Sequence, residues 1–421
     1  MNLFSKFILG LTVIGMVSCK SETKESSSNP KNSEVDQVPV METGKESSFS
    51  KVWIDSATGH KVEKLVDRKG DNRSFYFHNN PFLKSKDGKD DLMIFSGRTE
   101  TGSQFFSVNL NSKTVSQITN KPGRKRGEIV GAKTRKVFYM VKDSVFATHI
   151  DTHETEFIYK FNGEVIGSVT TLNADETLLG GALITKEENE IFKKNPSKSS
   201  YFDKIYEAKL ERSLITINLK TKKLNNIYSE NAWLNHIQFS PTNPDLLMYC
   251  HEGPWHKVDR IWTINIKTKQ NQLMHKRTVE REIAGHEFFS HDGKTIWYDL
   301  QIPRSVTFYL AGKNLDTGKE TRYGLKRDEW SIHFNISPNQ KTFAGDGGDP
   351  GQVARAKDGM WIYHFTPKGD SLVSRKLVNM KNHDYDLEPN VHFSPNGKQV
   401  IFRANFEGTS QIYAVDIEKE H

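Results

Sequence analysis

One turn decides the fold, and its clearest copy reads Phe393-Ser394-Pro395-Asn396-Gly397-Lys398. Each copy has an apolar residue, a serine and polar turn residues, and a hydrophobic strand follows it. The other copies are Phe239-Ser240-Pro241, Phe289-Ser290-His291-Asp292-Gly293-Lys294 and Ile336-Ser337-Pro338-Asn339-Gln340-Lys341, with a degenerate one at Leu172-Asn173-Ala174-Asp175-Glu176-Thr177. A repeat of roughly 50 residues is typical of propeller blades.

The rest of the chain supports an all-β fold. After about residue 50, short alternating runs of apolar and polar residues are separated by Gly, Asn, Asp and Pro. Dividing residues 51–421 by the repeat predicts a single-domain, seven-bladed β-propeller with TolB-like blades. Residues 51–54 form a strand before the first full unit, so we expect them to pair with the last blade and close the ring. An irregular array of β-sandwiches is the alternative.

One blade is interrupted by a charged segment. Between Ile184 and Leu214 the chain contains Lys186-Glu187-Glu188-Asn189-Glu190 and then Tyr201-Phe202-Asp203. We expect a long, partly helical insertion on the face that carries ligands, because long loops in compact domains are usually functional. A solvated loop without function is the alternative.

The N-terminus predicts export. Lys6 precedes an apolar run at residues 7–17 that is too short to cross a bilayer. Ser18 then stands before Cys19, which predicts a lipoprotein signal peptide at residues 1–18 and an acylated Cys19. Residues 19–50 are rich in Ser, Lys, Glu and Asn and are predicted to form a flexible tether. We expect an exported lipoprotein anchored in the outer membrane, periplasmic or surface-exposed; an ordinary signal peptide with an incidental cysteine is the alternative.

Composition limits the partners. The formal net charge is +7 and the pI is about 9.0, which suits an acidic partner. The cationic residues are scattered among acidic ones, without an Arg-rich stripe, and export also argues against nucleic acid as a partner. The sequence has two cysteines, Cys19 and Cys250, so lipidation of Cys19 leaves no pair for a disulfide.

Residues that could carry chemistry cluster at the predicted blade starts. The densest cluster is Cys250-His251-Glu252-Gly253-Pro254-Trp255-His256, with Arg260 soon after it. A site for a sugar acid needs an aromatic platform and a bidentate guanidinium, which Trp255 and Arg260 offer. His236 begins the same blade and could reach the same site. A buried structural network at a blade corner is the alternative.

Other clusters are built around histidines. Phe77-His78-Asn79-Asn80-Pro81 resembles a ligand-reading loop, and Gly285-His286-Glu287 offers an imidazole that could accept a proton near neutral pH. His333 and residues 383–392 combine imidazole with carboxylate and amide oxygens, which suits Mn²⁺, Ca²⁺ or Zn²⁺. Each histidine could instead cap a turn or form a structural hydrogen bond.

Together these motifs resemble the oligogalacturonate lyase family. The residues that carry the resemblance span most of the mature chain: His236 with Phe239-Ser240-Pro241, the block from Cys250 to Trp262, His286-Glu287-Phe288, His333, and Phe406-Glu407-Gly408 before Ile412-Tyr413. The resemblance is strongest from Trp233 to Asp299. Members of this family are seven-bladed propellers that split short oligogalacturonides by β-elimination with Mn²⁺ at the site. The resemblance therefore implies that fold, reaction and cofactor here.

The resemblance also implies roles for single residues. His286 is similar to the family's proton-abstracting histidine, Arg260 to an arginine beside the reacting uronate, and His333 to one metal ligand. Substrate contacts are expected from four further side chains, namely His78, His236, His251 and Trp255. The group that protonates the departing oxygen stays open between His251, a tyrosine and a water.

The remaining metal ligands depart from the family pattern. The family supplies a Gln and two His from the last blade, and these positions fall on Tyr385, Glu388 and Asn390. Glu388 and Asn390 are the credible ligands of the three, and both would offer oxygen. His392 shares the strand parity of Asn390 and could compensate. Mn²⁺ is the expected ion, with Ca²⁺ or Zn²⁺ as alternatives.

Three hypotheses for the function follow. The first is a lyase that cleaves anionic oligogalacturonides by metal-assisted β-elimination. The second is a propeller lyase for another uronate-containing polysaccharide, which the altered ligand set would suit. The third is a non-catalytic glycan-binding propeller, which the repeats alone would fit.

Overall fold

The computed structural model describes residues 38–46, 50–352, 354 and 359–419. The predicted signal peptide and most of the predicted tether lie outside these residues. In the described part, strands predominate, and two α-helices are present. No described helix combines the length and apolar character that crossing a membrane requires.

The strands fall into consecutive groups along the chain. The first strands are β1 Val40–Met41, β2 Val52–Asp55 and β3 Lys61–Lys64, and the next group is β4 Asn72–Arg73, β5 Phe82–Lys84, β6 Asp91–Thr99, β7 Gly102–Asn109 and β8 Val115–Gln117. Then come β9 Lys125–Gly131, β10 Lys136–Val141, β11 Ser144–His149, β12 Thr155–Lys160, β13 Ile166–Leu172, β14 Leu178–Ile184, β15 Arg212–Asn218 and β16 Leu224–Glu230.

The second half of the chain repeats the arrangement. Its strands are β17 Leu234–Phe239, β18 Leu246–His251, β19 Ile261–Asn265, β20 Asn271–Leu273, β21 Ile283–Phe289, β22 Thr295–Gln301, β23 Tyr309–Asn314 and β24 Glu320–Gly324. The last strands are β25 Phe334–Ile336, β26 Phe343–Gly345, β27 Trp361–Lys368, β28 Ser371–Asn379, β29 His392–Phe393, β30 Gln399–Ala404 and β31 Gln411–Asp416. A 3₁₀ turn, Trp255–Lys257, lies between β18 and β19.

The predicted serine unit is the turn between the inner strand and the second strand of a group. Ser290 Oγ donates to the Asp292 carboxylate at 2.6 Å and accepts from the Thr295 N–H at 3.0 Å. Ser337 and Ser394 make the matching contacts. A copy that the sequence pattern missed begins at Ser85, whose Oγ donates to Asp87 at 2.6 Å and accepts from the Asp90 N–H at 3.0 Å.

The fold is a β-propeller. The described strands form six sheets with mostly antiparallel pairing, and three of these sheets are four-stranded. The eight-stranded sheet is two four-stranded groups joined by a parallel pair, Gly324 with Ser371. Divided there, the sheets of the described residues make seven strand groups, numbered here in chain order from blade 1, β4–β8, to blade 7, β29–β31 with β3. Apolar residues of neighbouring blades pack face to face, as Leu247 of blade 4 does within a cluster that includes Ala182 of blade 3.

The ring closes through an N-terminal strand, as expected, although a different strand makes the contact. Lys61–Lys64 pairs with β31, and the predicted closing strand, which forms Val52–Asp55, lies one position further out. The last blade therefore takes its outer strand from the start of the chain, which removes an open edge.

The folded unit begins before residue 51, which corrects the predicted tether boundary for residues 38–46. Val40–Met41 pairs in parallel with β2. Thr43 is fully buried, because its hydroxyl donates to Asp55 at 2.6 Å and accepts from the Trp53 indole at 2.8 Å. A two-residue strand leaves too short an apolar pattern to detect in a polar segment.

The predicted insertion is helical. Between β14 and β15 the chain forms α1, Lys186–Lys194, and α2, Lys198–Ala208. Glu188 of α1 is buried in an ion pair with Arg212. A Cβ at Gly253 would come within 2.5 Å of the Tyr206 ring in α2, so this glycine lets the insertion pack against the loop that follows β18.

Candidate active site

The inner strands of blades 4 and 5 carry histidines at equivalent positions. His236 lies in β17 and His286 in β21, and each has a positive φ, 46° and 47°. The pairing register shifts around both, between Asn235 and Gln238 and between Gly285 and Phe288. These are β-bulges, which re-aim a side chain without ending the sheet.

His286 is held by a buried carboxylate. Its Nδ1 lies 2.8 Å from Asp299 Oδ1, and the Asp299 side chain is 1 % exposed. Burial lowers the pKa of His286, but the negative charge of Asp299 and its hydrogen bond outweigh burial, so the pKa is raised. The pair fixes the ring and makes Nε2 the more basic nitrogen.

His333 repeats this arrangement on blade 6. Its Nδ1 lies 2.8 Å from Asp346 Oδ2, and both side chains are fully buried. Its Nε2 is buried and has no hydrogen-bond partner among the described residues. Glu388 Oε2 lies 3.8 Å from that nitrogen. Burial, followed by the charge of His286, lowers the pKa of His333 well below its usual value.

The two histidines face each other beside a loop of blade 1. The ring centroids of His286 and His333 are 4.7 Å apart, at an interplanar angle of 77°. In blade 1 the inner strand is broken between β4 and β5, and the loop brings in Tyr76, whose ring lies 5.1 Å from His333. His78 follows in the same loop, with its ring 5.0 Å from that of Tyr76, and burial lowers the pKa of His78 to about 3.

Arg260 connects blades 4 and 5 through two buried ion pairs. Its Nη1 donates to Glu252 Oε1 at 3.0 Å, and its Nε donates to Glu287 Oε2 at 3.0 Å. Arg260 is 2 % exposed, Glu252 5 % and Glu287 1 %. His236 Nε2 lies 3.4 Å from Glu252, which extends the network towards the bulge of blade 4.

Trp255 connects that network to His286. Its indole N–H donates to Glu252 at 3.1 Å, and the Arg260 guanidinium lies 4.9 Å from its ring centroid. The ring meets that of His286 edge to face at 5.2 Å. A Cβ at Gly285 would come within 2.6 Å of the indole, so glycine is needed for this approach.

A family model for oligogalacturonate lyases matches residues 41–420 of the chain. The chain belongs to the oligogalacturonate lyase family. The match covers the whole propeller and every residue of the site described above. Membership also makes the chain an enzyme of the polysaccharide lyase type rather than a scaffold propeller.

Single relatives are similar over nearly their whole lengths. The oligogalacturonate lyase of Dickeya dadantii is 24% identical over 393 residues, covering 90% of this chain and 98% of its own. The oligogalacturonide lyase of Pectobacterium atrosepticum is 23% identical over 380 residues, covering 87% and 95%. The oligogalacturonate lyase structure from Vibrio parahaemolyticus has 25% identity and a TM-score of 0.76, covering 87% of this chain and 96% of that one. An oligogalacturonate lyase in complex with manganese has 22% identity and a TM-score of 0.74, covering 88% and 96%.

The structure brings most of the residues predicted for this family's site together. His286, His333, His78, His236, Trp255 and Arg260 form one connected cluster, described above. His251 lies apart from these contacts, with its ring 5.2 Å from that of Trp262 and its Nε2 3.1 Å from Glu230. Its predicted substrate contact and the roles of the other residues stay predictions.

The metal ligands predicted for the last blade lie near His333, but they differ in exposure and in how many hydrogen bonds their side chains already make. Glu388 is 40 % exposed. The Asn390 amide is bonded at both ends, since Oδ1 accepts from the Phe77 N–H at 2.9 Å and Nδ2 donates to the Glu388 carbonyl at 3.1 Å. The ring nitrogens of His392 lie 3.1 Å and 3.2 Å from the carbonyl oxygens of Asn390 and Asn79.

The donor set of the described residues fits part of a divalent-ion site. No three side chains of His, Cys, Asp or Glu converge as ligands in the described part of the chain. The buried, unpartnered Nε2 of His333, oriented by Asp346 and near Glu388, has the carboxylate–histidine arrangement of a metal ligand. The rest of the coordination sphere would fall to substrate and water.

Sequence reasoning missed the carboxylates that orient the two histidines. Asp299 follows His286, and Asp346 follows His333, by the same interval of 13 residues. Each interval contains the serine turn, so hairpin pairing brings the two residues side by side. A histidine and an aspartate at this repeated spacing is a signal that the sequence held.

Proposed function

We propose that this protein cleaves short oligogalacturonides by β-elimination, with His286 as the base. The observation that carries the proposal is the buried His286–Asp299 pair, which lies beside His333 and in which no described residue forms a hydrogen bond to Nε2 of His286. The net charge of +7 suits the acidic substrate.

His286 would remove the proton at C5 of a uronate. The C5–H electrons form the C4–C5 double bond, and the C4–O bond breaks. Asp299 supports this step because it fixes the proton of His286 on Nδ1 and stabilises the imidazolium that forms. Which nitrogen carries the proton is inferred here from the hydrogen bond to Asp299.

His333 and Glu388 would hold a divalent ion, with Mn²⁺ as the expected one. Bound there, the ion would supply positive charge opposite the carboxylate that becomes enolate-like as the proton leaves. Asp346 would keep Nε2 of His333 turned towards that position, since it holds Nδ1 at 2.8 Å.

Tyr76 is the described side chain best suited to protonate the departing oxygen. Its ring lies within 6.2 Å of those of His78, His236 and His333. Burial, followed by the charge of Glu388, raises the pKa of Tyr76 well above its usual value, so the hydroxyl keeps its proton near neutral pH. That proton would move to the glycosidic oxygen as the C4–O bond breaks.

Replacement of His286 tests the proposed base. We expect His286→Ala to lower kcat by about 10²–10⁴-fold, the usual contribution of a positioned base. Unsaturated product would be followed by ultraviolet absorbance with trigalacturonate as substrate. His153→Asn is the matched control, because His153 is exposed on blade 2 and Asn tolerates its φ of 62°. Unchanged turnover by His286→Ala would overturn the assignment.

We also propose that the chain is exported and anchored through a lipid on Cys19, which the apolar run at residues 7–17 supports. In that case the parent protein fractionates with outer membranes, and Cys19→Ser releases it. Fractionation that is the same for the parent and the Cys19→Ser variant would contradict the anchor.

A further inference from the structure

Blade 7 keeps the spacing of the histidine–aspartate pairs but fills it with different residues. Asn390 stands at the position of His286 and His333, four residues before the serine of the turn. Arg403 stands at the position of the orienting aspartates. Its backbone N–H donates to the Pro389 carbonyl at 3.0 Å, so the strand pairing is the same. A guanidinium therefore occupies the place where two other blades carry a carboxylate.

The guanidinium of Arg403 is fixed by backbone carbonyls alone. Its Nε donates to the Glu388 carbonyl at 2.7 Å, and its Nη1 donates to the Ser74 carbonyl at 3.0 Å. No carboxylate of the described residues forms an ion pair with it, and Nη2 makes no hydrogen bond to them. Arg260 differs, since both its flanks are bonded to carboxylates. Arg403 is thus held in place without a direct ion pair to the described residues.

The charge and the remaining N–H donors of Arg403 suit an anionic ligand. Burial, followed by the like charge of Arg73, lowers the pKa of Arg403, and the charges of Glu388, Glu128 and Asp346 offset this only in part. A guanidinium nevertheless remains protonated at any physiological pH. Arg403 lies beside the candidate site, because its Nε donates to the backbone carbonyl of Glu388, whose carboxylate lies 3.8 Å from Nε2 of His333. An oriented, partly desolvated cation with free N–H donors binds carboxylates strongly.

We propose that Arg403 binds the carboxylate of the uronate next to the sugar that loses its C5 proton. This inference rests on the proposed lyase function and adds a specificity residue to it. His286, His333 and Arg403 belong to blades 5, 6 and 7 in order, which matches a chain of sugars lying across adjacent blades. Arg403 would select substrates that carry an acid on both sugars of the cleaved bond.

A pair of substrates separates carboxylate binding from a structural role. One is digalacturonate, and the other is the same disaccharide with the neighbouring carboxyl reduced to a hydroxymethyl group. We expect Arg403→Gln to raise KM for digalacturonate by about 10- to 100-fold, to change kcat little, and to leave KM for the reduced disaccharide unchanged. Arg403→Lys keeps the positive charge but not the paired N–H donors of a guanidinium. Its KM for digalacturonate should therefore lie between those of the parent and Arg403→Gln. Equal effects on both substrates, or none, would overturn the proposal.

Controls keep this test independent of folding and of the lyase function. Arg375→Met removes an exposed arginine paired with Glu418 and should leave KM unchanged. If Arg403→Gln does not fold, because Ser74 loses its partner, the comparison of substrates is made with Arg403→Lys. Calorimetric titration of digalacturonate, with EDTA and with Mn²⁺, adds a readout without turnover. Binding that depends on Arg403, without any cleavage, would contradict the lyase function alone. Cleavage that is unaffected by the Arg403 variants would contradict the proposed role of Arg403 alone.

Discussion

At the scale of single residues, Arg260 illustrates how burial limits what a side chain can do. The sequence placed it beside the substrate because a guanidinium suits a uronate. In the fold, Glu252 and Glu287 already bond it, and all three are nearly inaccessible. We therefore interpret Arg260 first as the positioning residue that holds Trp255 and Glu287 near His286.

This interpretation predicts a loss of stability when Arg260 is removed. Arg260→Met leaves two buried carboxylates without their cation, which costs on the order of 3–5 kcal/mol for a broken buried pair. The unfolding midpoint in urea measures it. Arg375→Met is the matched control, because the Arg375 side chain is 38 % exposed and pairs with Glu418, which is 83 % exposed, and such surface pairs contribute about 1 kcal/mol or less. An Arg260→Met protein of parental stability that has lost substrate binding would contradict this interpretation.

The sequence predicted the imidazole and indole side chains of the site, but it did not predict the carboxylates that hydrogen-bond to the histidines. The sequence indicated His286, His333 and Trp255, because imidazole and indole are rare and stood in dense polar blocks. It did not indicate Asp299 or Asp346, since a carboxylate in a strand gains meaning only when the pairing register is known. The repeated interval of 13 residues supplies that register.

At the scale of elements, bulges and links between strands set the chemistry. The bulges at His236 and His286 require a positive φ, which no pattern of residue types at these positions indicates. The helical insertion was predictable from its polarity, whereas its packing on Gly253 depends on tertiary contact.

The link between β20 and β21 gives a pH-dependent element away from the site. His275 is 4 % exposed, with Nε2 2.7 Å from Glu282 and Nδ1 2.9 Å from Glu320, while Tyr298 also bonds Glu320. Burial lowers the pKa of His275, but the two carboxylates outweigh burial and raise it above 6.5. The stability it contributes is therefore full below pH 6.5 and is lost as pH rises through the folded-state pKa.

Replacement of His275 should reveal this dependence. We expect His275→Gln to melt at a lower temperature than the parent near pH 6, with the difference narrowing at alkaline pH as the parent imidazole loses its proton. Melting temperatures of both proteins across that range measure it, with His153→Asn as an exposed control. A difference that grows with rising pH would show that the sign of the linkage is wrong.

At the scale of the whole molecule, the propeller fold could be predicted from the repeat. Each serine turn is formed by residues within five positions of one another, so its pattern is visible in the sequence. The sequence predicted that an N-terminal strand closes the ring, but it indicated Val52–Asp55 where the structure uses the next strand, Lys61–Lys64. The two strands have similar alternation of apolar and polar residues, so the pattern does not distinguish them. The early start of the folded unit depends on Thr43, a polar residue buried by contacts with Asp55 and Trp53. Burial of a polar residue through distant partners cannot be inferred from composition.

Metal-assisted cleavage of oligogalacturonides is tested most directly by digesting di- and trigalacturonate with the purified mature protein. Product is followed by ultraviolet absorbance, first with EDTA and then with added Mn²⁺. We expect unsaturated or keto-uronate product that EDTA suppresses and Mn²⁺ restores. Absence of product with any divalent ion would contradict cleavage of oligogalacturonides, and product that EDTA leaves unchanged would contradict the role given to His333 and Glu388.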